Sequence, residues 1–324
     1  MKTQGQKKIR SKALNIGVFV LMFFIIPFQM FAALTVTQSP KAPVENRFVV
    51  GPAKLEAVVP AGQAQVVGID IENRMGRTAE FDIHFEDFVT DNDSNGVVLL
   101  GNQTSSTTLK NLLSVPQEKI VLNQGDRVHV PITITTLGNE DPGGRYGAVV
   151  VSSHTVEQNK NSSSVGATVI GQVAVLVFVT IPGEIKSSSS LDSFTISQNQ
   201  KVFFTAPVQF EMAVKNSGTV HVNPYGGITI RNMFGQQVAT ISIDPWFVLP
   251  GSVRTRDVLF PQKDLFGWYT ATLELNRGYN DVIDTKSVSF FAFSPFTLVL
   301  LFVVLGVLGY GLKRKLGQKN NHAA

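Results

Sequence analysis

The chain of 324 residues contains no cysteine, so no disulfide can hold any part of it together. Its stability must come from buried apolar cores, for which a chain of this length offers enough material. The sequence also lacks the motifs of several enzyme classes: it has no nucleophile elbow, no HExxH helix and no phosphate-binding loop. We therefore expect a protein that binds its partners without catalysing a reaction.

Acidic residues are missing from both ends of the chain, which makes its formal net charge of +4 misleading. Five of the 28 Lys and Arg residues precede Ala33 and four follow Leu312, which leaves 19 to set against 24 Asp and Glu residues. The part between the ends is therefore acidic, and the basic ends give no support to nucleic-acid binding.

Each basic end adjoins an uncharged apolar run, 13–31 at the start and 296–312 near the finish. Positive flanks resist translocation, so this layout predicts a single-pass cell-membrane protein whose bulk is extracytoplasmic. The missing disulfides favour a bacterial envelope protein, because secreted eukaryotic modules of this size more often carry them. We expect residues 1–33 to be a cleaved signal peptide, with an uncleaved signal anchor as the alternative. We expect a transmembrane helix at 295–312 and a basic cytoplasmic tail at 313–324.

The middle of the chain shows the two-residue alternation of β-strands rather than the periodicity of helices. Residues 81–85, 128–134 and 270–275 alternate strictly between apolar and polar, which places apolar side chains on one sheet face. Many short strands with regular turns are typical of sandwiches. The apolar stretch 165–181 is rich in β-branched residues, so we expect a strand or hairpin there and not a membrane helix.

An internal repeat divides this β region. Both halves contain, in the same order, a strand that ends in Asn, a Gly turn before a strand, and a Gly-x-Tyr that leads into another strand. The positions are Asn73, Gly125 and Tyr146 in the first copy, and Asn216, Gly251 and Tyr269 in the second. Each Tyr is expected to send its hydroxyl back to upstream backbone, as in a tyrosine corner.

The expected fold is all-β, with two tandem immunoglobulin-like β-sandwich domains and one C-terminal transmembrane helix. The unequal spacings of the repeat place an insertion near residues 89–115 of the first copy. The predicted boundaries are residues 34–185 for the first sandwich, 186–190 for a Ser-rich linker and 191–293 for the second sandwich.

The stretch 51–153 resembles the peptidoglycan-binding domain of the WxL-interacting proteins of Gram-positive cell surfaces. The resemblance is carried by Val59-Pro-Ala-Gly62, the strand ending in Asn73, Thr90-Asp-Asn-Asp-Ser-Asn-Gly96-Val97, Leu112-Leu-Ser-Val-Pro116, Ile120-Val-Leu122 and Gly143-Gly-Arg-Tyr-Gly147. It covers the first domain in detail and the second only in plan. The resemblance implies binding to the cell wall and to a surface partner.

The segment Asp91-Asn-Asp93-Ser-Asn95-Gly96 copies the first half of a calcium-binding loop. Asp91, Asp93 and Asn95 would be the oxygen ligands, and Glu86 and Asp87 could supply further oxygens. Asn102 stands where such a loop has its bidentate Glu, and the same residue types form plain hairpin turns. We prefer the plain turn, with calcium as the alternative and no other cofactor expected.

Aromatic residues concentrate in the second half of the chain, at Tyr225, Phe234, Trp246, Phe247 and Trp268. Most are expected in the core, since aromatic side chains dominate core energetics. Trp246, which follows a Pro and precedes a Pro-Gly turn, is the one expected at a surface, where a glycan or a protein could bind.

The sequence thus predicts a membrane-anchored cell-surface protein that binds cell-wall peptidoglycan, other surface proteins or both through its two sandwiches. The alternative is a pilus-chaperone-like assembly module that binds a client strand at a sheet edge. Chaperones of that kind are soluble and carry a basic anchor in their cleft, and the predicted membrane helix argues against this alternative.

Overall fold

The computed structural model describes residues 34–39, 42–91, 96–155, 171–204, 207–261, 265–293, 299, 302–311 and 313. The predicted signal segment 1–33 and residues 314–324 of the predicted tail lie outside these ranges. The described residues all belong to one compact unit. They are almost entirely strands and turns, which confirms the expected all-β class.

The first sandwich consists of two facing sheets. The first sheet has the order β1 (Thr35–Gln38), β10 (Asp126–Thr135), β4 (Ala64–Arg74) and β2 (Arg47–Gly51), and β8 (Leu113–Ser114) also pairs with β10. The second has the order β3 (Lys54–Val58), β12 (Gly171–Ile181), β11 (Gly143–Thr155), β5 (Ala79–Glu86) and β9 (Lys119–Leu122). The predicted insertion contributes a hairpin, β6 (Phe88–Thr90) and β7 (Val97–Leu99), and a 3-10 turn at Lys110–Leu112.

The second sandwich also has two sheets. The smaller has the order β13 (Ser189–Ile196), β15 (Val208–Asn216) and β18 (Val253–Phe260). The larger has the order β14 (Val202–Phe203), β20 (Ile283–Phe293), β19 (Phe266–Asn276), β16 (Tyr225–Asn232) and β17 (Gln237–Ile243). A 3-10 turn at Ser197–Asn199 leads from one sheet to the other. Among the described residues, no sheet contains strands of both sandwiches.

The predicted alternation is seen in the burial of the strands. In β10, Val128, Val130, Ile132 and Ile134 are all buried in the first core. Their polar neighbours face outward, because successive side chains of a strand point to opposite sides. The apolar stretch 165–181 is a strand from Gly171 onward, which confirms the strand prediction for its described part.

The predicted repeat rests on a buried asparagine in each copy. In the first, the side-chain nitrogen of Asn73 donates to the carbonyls of Arg77 and Leu122, each at 2.8 Å. Its side-chain oxygen accepts from the Met75 amide at 2.9 Å, and its carbonyl accepts from the Gly125 amide at 2.8 Å. The side chain therefore closes the turn that follows β4.

Asn216 makes the same four bonds in the second copy. Its side-chain nitrogen donates to the carbonyls of Val220 and Val248, each at 2.9 Å. Its side-chain oxygen accepts from the Gly218 amide, and its carbonyl accepts from the Gly251 amide, both at 2.9 Å. The repeat read from the sequence is therefore a repeat of hydrogen bonding as well.

The segment predicted as a linker, 186–190, is held more firmly than its composition suggests. The Lys186 amide donates to the Thr219 hydroxyl at 2.9 Å, and its carbonyl accepts from the Thr219 amide at 2.8 Å. Strand β13 begins at Ser189, so the last two residues of this segment already belong to the second sandwich. The division into separable domains stays a prediction.

The apolar segment near the C-terminus is helical where it is described, at residues 299, 302–311 and 313. No helix within the described residues has both the length and the apolar character that crossing a membrane requires. This finding contradicts the predicted transmembrane helix at 295–312 and the predicted single-pass membrane localisation.

Candidate functional site

Strand β12 is paired along its whole length on one side and along half of it on the other. Strand β11 pairs with all of Gly171–Ile181. Strand β3 pairs with it in parallel, over Leu176–Thr180 only, because the chain leaves the first sheet at the end of β2 and joins the second sheet at β3. In the described part of the chain, no strand covers the other side of Gly171–Val175. We call this stretch the open edge.

The direction of the backbone groups along the open edge follows from one hydrogen bond. The Leu176 amide donates to the Ala53 carbonyl at 3.1 Å, so it points toward β3. Successive residues of a strand direct their N–H and C=O groups alternately to the two sides. Gln172 and Ala174 therefore present their backbone donors and acceptors to the uncovered side, while the residues between them bond to β11.

The side chains of the open edge are uncharged on both faces of the sheet. Val173 and Val175 face the first core. In that core Phe48 and Phe81 pack edge to face, with ring centroids 5.2 Å apart. Ala174 faces the other way and packs against a second buried cluster. The uncovered backbone is therefore bordered by valines on the core face, and by Ala174 and the polar, uncharged Gln172 on the other.

The second buried cluster contains residues of both sandwiches, and we call it the joint cluster. Its buried members are Phe88, Tyr146, Ala148, Val150 and Phe178 of the first sandwich and Leu249 of the second, with Phe247 packed against them. The Phe178 ring lies 5.0 Å from the Phe247 ring and 5.4 Å from the Tyr146 ring, centroid to centroid. The joint cluster thus packs the two sandwiches together beside the open edge.

A hydrogen bond crosses the joint next to this cluster. The Tyr146 hydroxyl accepts from the His221 backbone amide at 2.7 Å, and burial raises the pKa of this phenol well above its ordinary value. Tyr269, its counterpart in the repeat, instead accepts from the Phe266 amide at 3.1 Å. The expected tyrosine corner is therefore seen at Tyr269, whereas Tyr146 uses its hydroxyl to link the two sandwiches.

The His221 side chain is only 12% exposed at the joint. Burial lowers the pKa of this imidazole below its ordinary value, and the Glu56 carboxylate 3.7 Å away opposes that shift. Glu56 is itself bridged to Lys54 at 2.6 Å, and this bond lowers the pKa of the Glu56 carboxyl. Lys54 is a basic group beside the joint, and its charge is already paired.

The neutral state of His221 predicts a pH dependence of stability. Because the folded pKa is lowered, the unfolded chain binds the proton more readily, and stability is fully present above the ordinary histidine value of about 6.5. It is lost as pH falls below that value, by at most about 1.4 kcal/mol per pH unit for one group. Urea titrations between pH 7.5 and pH 5, about the histidine range, give the free energy of unfolding at each pH. This free energy should fall less steeply with decreasing pH in His221→Gln than in the parent protein. Equal slopes would contradict this assignment.

The predicted calcium ligands fall partly outside the described residues, which leave out Asp93 and Asn95. The Asp91 amide donates to the Gly96 carbonyl at 3.2 Å, at the end of the β6–β7 hairpin. Within the described ranges, no group of three His, Asp or Glu side chains could hold a metal ion. The calcium site and the plain turn both stay predictions.

The neighbouring carboxylates have other partners. Asp87 accepts from the amides of Leu109, Lys110 and Ser105 at 2.9, 3.0 and 3.1 Å. Burial acts to raise the pKa of this carboxyl, but the hydrogen bonds outweigh it and lower the pKa. Glu86 accepts from the Gly101 amide at 2.9 Å. Both carboxylates thus hold the loop of the insertion.

The aromatic residues of the second half are arranged differently from the expectation. Trp246, expected at a surface, packs partly against the second core under the Arg256 guanidinium, which lies 5.1 Å from its ring centre. Phe234 and Trp268 are instead 80% and 56% exposed. Exposed aromatic surface therefore lies on the larger sheet of the second sandwich and at the β16–β17 turn.

No protein-family model and no curated protein sequence matches the chain. Among the solved structures that match is the class 5 fimbriae chaperone CfaA, with 11% identity over 75% of this chain and 99% of that chain, and a TM-score of 0.38. The E. coli chaperone DraB matches with 12% identity over 76% and 97% of the two chains and a TM-score of 0.37. The CsuC–CsuE chaperone–tip adhesion subunit complex of Acinetobacter baumannii matches with 10% identity over 76% and 99%, and a TM-score of 0.36.

The predicted membership of the WxL-interacting family is wrong, because no family model matches and the matching structures named above are pilus and fimbrial chaperones. Peptidoglycan binding, which that resemblance implied, falls with it. Identities near a tenth transfer no site residue, so any functional assignment depends on the geometry of this chain.

Proposed function

We propose that the chain is a pilus-chaperone-like assembly module that holds an extended segment of a client surface protein against the open edge. The observation that carries this proposal is the half-covered strand β12, where no described strand pairs with one side of Gly171–Val175. The proposed activity is binding alone, with no catalytic step and no cofactor.

The uncovered backbone is suited to strand addition. The N–H and C=O groups of Gln172 and Ala174 face the open side, and an incoming strand that bonds to them would extend the sheet. Each such hydrogen bond contributes about 1 kcal/mol net. Apolar side chains on alternate positions of the client would meet Val173 and Val175 on the core face, which adds the burial that makes such pairing favourable.

Other edges of the first sandwich are protected by charge. On β9, Lys119 lies 3.3 Å from Glu80 and 3.5 Å from Asp82. At the start of β2, Arg47 is bridged to Glu45 at 2.6 Å. Charged side chains on an edge discourage pairing with another strand. The open edge of β12 carries no charged side chain, which distinguishes it from these two.

The test removes one backbone donor from the open edge. Proline lacks an N–H group but is tolerated at the edge of a sheet where that group faces solvent. Ala174→Pro should therefore keep the fold and weaken binding of a short fluorescent peptide of alternating valine and threonine by at least about tenfold. Fluorescence anisotropy gives the affinity, and thermal unfolding checks the fold.

The matched control is Val121→Pro on β9, the opposite edge of the same sheet. The Ile83 amide donates to the Glu118 carbonyl at 2.7 Å, so the two-residue alternation turns the Val121 N–H group outward. This variant should bind the peptide as the parent protein does. Equal affinities of the two proline variants, with both folded, would remove the open edge as the client site.

A further inference from the structure

The last strand of the second sandwich is also covered on one side over only part of its length. Strand β19 pairs with all of Ile283–Phe293 in β20. Strand β14 pairs with it in parallel, and only at Phe291–Ala292. Among the residues that the structure describes, no further strand pairs with β20. The second copy of the repeat thus reproduces the arrangement of the open edge in the first.

The backbone direction can be read here as it was for β12. The Phe291 amide donates to the Lys201 carbonyl at 2.8 Å, so it points away from β19. By alternation, Ser289 and Ser287 also direct their N–H and C=O groups to the uncovered side. Both serine side chains are exposed, so an incoming strand could reach this backbone.

A groove of about 420 Å³ lies directly beside this uncovered backbone. Ile196 and Lys201 line it on one side, and Trp268, Val288 and Ser289 line it on the other. Trp268 packs edge to face on Phe291, with ring centroids 5.3 Å apart. The groove therefore combines apolar walls with free backbone groups, the two features that an extended peptide needs.

Two residues in unusual conformations keep β14 short. Gln198 and Asn199 have φ values of 58° and 52°, in the left-handed region that residues other than Gly rarely adopt. They turn the chain between β13 and β14 aside before it meets β20 at Lys201. Without this turn, β14 could run along β20 and fill the groove.

We propose that this groove is a second strand-docking site, and that it binds an extended client segment carrying an acidic residue between apolar ones. Lys201 is the charged residue of the groove lining, and no carboxylate pairs with it in the part of the chain that the structure describes. An acidic side chain of the client would supply that partner. This inference rests on the proposed function, since its occupant is again an extended segment.

The test is a calorimetric titration of the full chain with two peptides. One is the valine–threonine peptide used for the open edge, and the other has a central threonine replaced by glutamate. The glutamate peptide should fill two sites on the parent protein. Lys201→Glu and Ser289→Pro should each weaken the second site by at least about tenfold, whereas Lys215→Glu, on the exposed face of β15, should not.

The two sites can be distinguished by combining the variants. If the second site is real, Ala174→Pro retains one glutamate-peptide site, and adding Lys201→Glu removes it. Titrations that are the same for Lys201→Glu, Ser289→Pro and the parent protein would overturn the second site. In that event a loss of binding in Ala174→Pro would still uphold the proposed function, so the two failures can be told apart.

Discussion

Replacing Asn216 by alanine should lower the free energy of unfolding by about 3 kcal/mol. The substitution leaves the buried carbonyls of Val220 and Val248 and the amide of Gly218 without the side-chain partners they have now. The Val248 carbonyl keeps its bond from the Val222 amide at 3.1 Å, whereas each buried polar group left unpaired costs about 1–3 kcal/mol. Urea unfolding followed by tryptophan fluorescence measures the loss, since both tryptophans lie in the second sandwich.

Two further variants show whether this loss comes from the buried side-chain nitrogen. Asn216→Asp keeps the size and the acceptor oxygen but turns an acid toward two carbonyls, so it should destabilise at least as much as alanine. Asn276→Ala removes a similar bond, from the Gly278 amide to the side-chain oxygen at 2.8 Å, at an exposed turn. It should cost less than about 1 kcal/mol. If Asn216→Ala lowered the free energy of unfolding by as little as Asn276→Ala, the proposed contribution of the buried Asn216 side chain would be contradicted.

The asparagines show how much of this fold the sequence could predict. Asn73 and Asn216 end the same kind of strand in the two copies, so the sequence repeat alone identifies both residues as equivalent. The alternating strands, the two sandwiches and the strand nature of Gly171–Ile181 could also be predicted, because burial on one sheet face leaves a two-residue pattern. Local signals of this kind depend on residues close in sequence.

The candidate site could not be predicted in the same way. The pattern of residues 171–175 shows that they form a strand, but which neighbour covers them is decided by β3, more than a hundred residues earlier in the chain. Tyr146 fitted the tyrosine-corner pattern, yet its hydroxyl bonds to His221 across the joint. Nothing near His221 in the sequence indicates that contact. For the apolar run 296–312 the sequence predicted too much, since composition alone indicated a membrane span there.

The second large effect is expected at the joint between the sandwiches. Phe178 is 1% exposed, and its ring lies 5.8 Å from that of Phe88 and 4.9 Å from that of His221. Phe178→Ala should cost about 3–5 kcal/mol, as truncation of a buried phenylalanine does. Because the ring contacts residues of both sandwiches, the loss should also loosen their packing. Scanning calorimetry should then resolve two transitions in Phe178→Ala and a single transition in the parent protein.

The control for this prediction is Phe81→Ala, which removes a phenylalanine buried within the first core alone. It should cost a similar free energy but leave the relative position of the sandwiches unchanged, since Phe81 is not part of the joint cluster. Small-angle X-ray scattering of the folded variants separates the two cases, because only Phe178→Ala should increase the radius of gyration. The open edge borders the joint cluster through Ala174, so Phe178→Ala should also weaken peptide binding there. Unchanged scattering and a single transition in Phe178→Ala would mean that other contacts hold the joint.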